Sequence, residues 1–173
     1  MSKIRWLLAA LGMALIGLVP ILTATSPASA DPGTILKFTV MTPVTGPYVG
    51  TANPIRGVSG GGLPWMITSG NGSLTRDGKV LIHVRGLVLA DQPPVPANLR
   101  GTNPVPDFVA IVSCQTISGA GTATITNIRT GAFPASTAGK ADINARVKLP
   151  QPCIAPIVFV TSPAGAWFAA TGS

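Results

Sequence analysis

Few side chains in this sequence combine the types and spacing that chemistry needs. Gly57-Val58-Ser59-Gly60-Gly61 fits the GxSxG pattern, which in an α/β-hydrolase exposes a nucleophilic serine on a strand-to-helix turn. The surroundings are unsuited to that use. Gly60-Gly61-Gly62-Leu63-Pro64 cannot open a helix. The single histidine, His83, precedes Asp91 and Asp107, which inverts the Ser, Asp, His order of that fold. A hydrolase using Ser59 or His83 stands as the rival reading. It requires Ser59, His83 and one aspartate to converge within about 3–4 Å.

His83 sits in an apolar run, Lys79 to Leu89, read as one strand. Arg85, Leu81, Leu87 and Leu89 would share its face. Asp77, Asp91 and Asp107 are the acids that could orient it. Asp142 is assigned to a surface ion pair with Arg146. One histidine cannot fill a zinc site, the aspartates lack calcium-loop spacing, and no GK[ST] follows the glycine triplet. No cofactor and no metal are expected, and no catalytic residue is assigned. Asn71-Gly72-Ser73, formally a glycosylation sequon, is read as a turn.

Binding chemistry is better provided for. Trp65 and Trp167 follow glycine- and proline-rich stretches and could serve as aromatic platforms, although large aromatics more often fill cores. Arg100 lies midway along Asp91 to Asp107, a 17-residue stretch holding five prolines. Loops that long are functional, or else serve as crossovers. Gly57 to Pro64 is the second unusual loop. Cys114 and Cys153 carry no CxxC spacing and are expected to form a structural disulfide.

These residues need a scaffold, and the pattern calls for strands. Ala141 to Leu149 alternates strictly: Ala141, Ile143, Ala145, Val147 and Leu149 against Asp142, Asn144, Arg146 and Lys148. Ile35 to Met41, Trp65 to Thr68, Ser73 to Arg76, Phe108 to Gln115, Thr122 to Arg129, Ile157 to Thr161 and Trp167 to Ala170 are further strands. Asp77-Gly78 reads as a two-residue hairpin turn. Eight or nine short strands without helical periodicity predict an all-β, single-domain antiparallel β-sandwich, immunoglobulin-like or jelly-roll-like. A closed β-barrel is the alternative.

The first thirty residues read as a secretory signal peptide: Lys3 and Arg5, an uncharged apolar run from Trp6 to Thr23, then Ala28-Ser29-Ala30. Cleavage after Ala30 leaves residues 31–173 as one secreted domain, with no stable membrane anchor. Removal of Lys3 and Arg5 lowers the formal charge from +7 to +5. The chain has five aspartates and no glutamate. Its cations are scattered along the sequence without a basic, aromatic-interleaved run, so nucleic acid is not an expected partner. Abundant Ala, Gly and Pro with few lysines suggest a bacterial source. The leading expectation is a secreted, non-catalytic binding or structural module acting at or outside the cell envelope, its partner an envelope polymer or another secreted protein. A cationic surface-active protein that binds anionic envelope polymers is the third reading.

Overall fold

The computed structural model describes residues 33–171; the expected signal segment lies outside them. In chain order the elements are β1 (Thr34–Phe38), β2 (Thr42–Pro43), a 3-10 turn (Gly46–Tyr48), β3 (Trp65–Met66), β4 (Ser69–Thr75), β5 (Lys79–Arg85), β6 (Val88–Leu89), β7 (Asp107–Ile117), β8 (Ala123–Pro134), β9 (Ala141–Arg146), β10 (Ile154–Thr161) and β11 (Trp167–Ala170). One antiparallel sheet has the order β1-β4-β5-β9. A second has the order β2-β11-β10-β7-β8, and β3 pairs with β6 in a small ribbon. None of these sheets closes into a barrel, so the barrel alternative gives way to open antiparallel sheets.

Alternation decides what each strand buries. On β5, Val80, Ile82 and Val84 are fully buried, while Leu81, His83 and Arg85 face outward. On β9 the alternation read from the sequence holds, with Ala141 and Ile143 buried and Asp142 and Asn144 exposed. The inward side chains of both sheets join one apolar cluster that includes Ile82, Ile143, Phe108, Val112 and Val158. The opposite face of the five-stranded sheet is also covered at its centre. Trp167 and Phe159 meet at 6.1 Å there, and Tyr48 lies 6.4 Å from Trp167.

Several local readings need correction. The Lys79 to Leu89 run is two strands. The chain turns at Gly86 (φ +64°), so Leu87 and Leu89 are buried in the core and do not share the His83 face. The β4–β5 turn has three residues, Arg76 to Gly78. Gly78 alone takes a positive φ, and its N–H donates to the Thr75 carbonyl at 2.9 Å. Asn71 lies inside β4, opposite His83, and is not in a turn. β1 stops at Phe38, which leaves Val40 exposed.

Cys114 and Cys153 are bonded, with Cα atoms 4.9 Å apart. The bridge ties β7 to the crossing that carries the chain from β9 to β10. That crossing, the β4–β5 turn and the β7–β8 hairpin mark one end of the molecule, because Arg146 pairs with Lys79 and Ile154 with Gln115. The eleven described strands, their core and the disulfide lie within residues 33–171, so this part has what it needs to fold on its own.

Candidate functional site

The glycine-rich loop is shaped by close backbone approach. Gly60 N–H donates to the Gly50 carbonyl, Gly50 N–H to Gly61, Gly61 N–H to Trp167, and Trp167 N–H to Ser59. A Cβ on Gly60 would sit 1.9 Å from the Tyr48 carbonyl oxygen, so glycine is required there. Packing explains the GxSxG match: the segment is stitched to β11 of the five-stranded sheet. His83 lies on the outward face of β5 in the other sheet. The structure therefore does not bring Ser59 and His83 together.

His83 has a partner that local sequence did not reveal. Asp142, opposite it on β9, places Oδ1 2.8 Å from His83 Nδ1 and 2.9 Å from an Arg85 guanidinium nitrogen. Asp77, Asp91 and Asp107 do not take this role. Arg146 pairs with Asp77 instead of Asp142. The hydrogen bonds from His83 and then Arg85 hold the Asp142 carboxyl below its ordinary range. The Thr75 hydroxyl and Arg146 hold Asp77 at about 2. A carboxylate whose pKa is depressed by folding adds stability above its unfolded value of 3.8, and that stability is lost as pH falls through the folded value. Urea midpoints are thus expected to fall between pH 5 and pH 2, and to fall less in Asp77→Asn and Asp142→Asn. An unchanged drop in both variants would contradict the ion-pair geometry.

The two unusual loops do meet. Ala90 N–H donates to the Pro64 carbonyl at 2.9 Å, and Leu89 exchanges hydrogen bonds of 3.0 Å with Thr102 and Gly101. Asn103, 3% exposed, pins the long loop: its amide donates to the carbonyls of Val105 and Ser136 at 2.7 and 3.0 Å and accepts from Val105 N–H. Between the loop bases and the Gly46–Tyr48 turn lies a groove of about 740 Å³. Its walls include Val49, Trp65, Met66, Ile67, Pro93 and Pro94, with Asp91 and Gln92 as polar groups. A second depression of about 320 Å³ lies where Gly62 and Leu63 of one loop face Leu99, Pro104 and Val105 of the other.

Of the three predicted binding residues only Trp65 lines the groove. Trp65 is 3% exposed and stacked on Phe168 at 3.9 Å, so it forms the groove floor from within the core. Trp167 is equally buried beneath Tyr48, beside a separate cavity of about 300 Å³. Arg100 turns back on its own loop, its Nε donating to the Val95 carbonyl at 3.0 Å. The residue that sequence reasoning missed is Met66, 43% exposed in the groove wall. Strand alternation was the available signal: with Trp65 inward, Met66 must face out. Among the described residues no group of three or more His, Cys, Asp or Glu is placed to hold a metal ion. No protein-family model, characterised protein or solved structure matches the chain.

Proposed function

We propose that this chain is an exported, non-catalytic β-sandwich that binds its partner through the groove between the Gly46–Tyr48 turn and the bases of the Gly57–Pro64 and Asp91–Asp107 loops. The carrying observation is one largely apolar concavity of about 740 Å³, lined by Pro64 at the end of the first loop, by Asp91 to Pro94 at the start of the second, and by Trp65, which is stacked on Phe168, with Met66 and Ile67. Concave, largely apolar sites with a few polar groups are what ligands use. Export is supported by the signal-like start of the sequence and by the disulfide, a bond that persists in oxidising compartments. No helix among the described residues is long and apolar enough to cross a membrane. A partner suited to these walls presents apolar surface, in an envelope polymer or in another secreted protein.

Met66→Glu tests the assignment, because it puts a charge in the groove wall while leaving the core intact. Immobilised residues 31–173 are exposed to envelope material from their own source. Retention is expected to fall about tenfold or more in the variant, as for a charge facing an apolar partner, with the urea midpoint unchanged. Equal retention by both proteins would remove the groove as the binding surface.

A further inference from the structure

We infer a second surface, at the opposite end of the molecule, that docks on an anionic lipid bilayer. Three of the exposed large apolar side chains gather there: Ile117 at 53%, Ile125 at 40% and Ile154 at 52%. Strand register brings them together. Ile125 and Ile154 both pair with Gln115, and Ile117 lies two residues further along β7, opposite Ala123. They border a shallow depression of about 340 Å³ on one face of the five-stranded sheet. No charged residue occurs from Phe108 to Ile128, a span that includes the whole hairpin tip. Apolar residues clustered on an uncharged tip mark an interaction surface.

Charge indicates the occupant. Cations scattered in sequence converge at this end. Arg76 and Lys79 flank the β4–β5 turn, Arg146 pairs with Lys79, and Lys148 follows on the crossing; all four are exposed. Among the described residues Asp77 is the acid beside them, and it pairs with Arg146. Of the other acids among the described residues, Asp91 and Asp107 lie toward the groove end and Asp142 pairs with His83 and Arg85 on the β5–β9 face. An apolar tip next to a cationic rim, with packed sheets about 10 Å apart between them, matches acyl chains beneath anionic headgroups. Gly33 lies at the same end, its carbonyl accepting from Arg76 N–H. Seated this way, the protein would turn its groove away from the membrane.

The test is co-sedimentation of residues 31–173 with two sets of vesicles. One is pure phosphatidylcholine, and the other contains about one-third phosphatidylglycerol. Binding is expected only to the anionic set, and it should weaken as salt is raised to about 0.5 M. Ile117→Ser with Ile125→Thr should reduce that binding by about tenfold or more, since the lost burial is of apolar area. Arg76→Glu with Lys148→Glu should abolish the preference for anionic vesicles, and this second pair keeps the test decisive if the isoleucine variant folds poorly. Binding to both vesicle types alike would overturn the proposal. So would full retention in the isoleucine variant, which would assign the cations to an anionic polymer. Because groove binding is read with Met66→Glu, failure of one surface leaves the other standing.

Discussion

Trp65→Ala is expected to lower the stability of the domain by about 3–5 kcal/mol, the usual cost of emptying a large aromatic site in a core. The indole is 3% exposed, stacked on Phe168 at an interplanar angle of 20° and set edge-on to Phe108 at 6.4 Å. Phe108 in turn meets Phe168 at 5.8 Å, so the three rings form one closed cluster. Removing the largest member leaves a void that the two phenylalanines cannot fill. The thermal midpoint should drop by about 10–20 °C for a domain of this size. Trp65→Phe should recover most of the loss. These numbers bear on function, because a Trp65→Ala protein that binds poorly would do so by unfolding. A variant that keeps its midpoint and still loses its ligand would instead make Trp65 a contact residue.

Removing the disulfide should have an effect of similar size. The bridge joins residues 39 apart in sequence, and closing a loop of that length restricts the unfolded chain by about 3–4 kcal/mol in the chain-entropy account. Cys114 is fully buried on β7, and Cys153 anchors the crossing that follows β9. Guanidinium unfolding of Cys114→Ala/Cys153→Ala, compared with the parent under oxidising conditions, measures the difference. Alanine at both positions leaves no buried free thiol to complicate the comparison. A loss below about 1 kcal/mol would mean that the crossing is held by Val147 and Leu149 packing and by the Val147 N–H bond to the Gly78 carbonyl.

Much of the fold was legible because strands announce themselves through local alternation. Ala141 to Arg146 shows this most clearly, and the cysteine pair followed from there being two cysteines without CxxC spacing. What escaped was set by pairing between distant segments. Asp142 and Arg146 are four residues apart, which suggests an ion pair by helical habit, yet four strand residues span about 13 Å. The true partners, His83 and Arg85, lie 59 and 57 positions away and are supplied by the β5–β9 register. β2 has only two residues, too few for any period to show. The site was legible as two odd loops, but not as a groove. Trp65, Trp167 and Arg100 have the composition of binding residues, and only tertiary packing turned two of them into core and the third onto its own loop. The glycine triplet misled for a related reason. Gly60 answers to the Tyr48 carbonyl and Gly61 to the Trp65 and Phe168 rings, none of which is adjacent in sequence, while Gly62 has open space around it.

The arrangement divides the molecule by chemistry. One end carries the loops and the groove. The opposite end carries isoleucines and cations. Between them the outward face of β5 and β9 holds His83, Asp142 and Arg85 in an exposed ion-pair cluster. Ser59 is tied by its backbone to Trp167 of β11, in the sheet that does not carry His83.

The most direct measurement is a residue-resolved amide footprint. Isotope-labelled protein is titrated with fractionated envelope material, and backbone shifts are followed by NMR. Binding through the groove predicts perturbations confined to residues 46–49, 64–67 and 90–94, with His83 and Asp142 unmoved. Perturbations centred on the His83–Asp142 face, or consumption of the added material with release of a product, would contradict it.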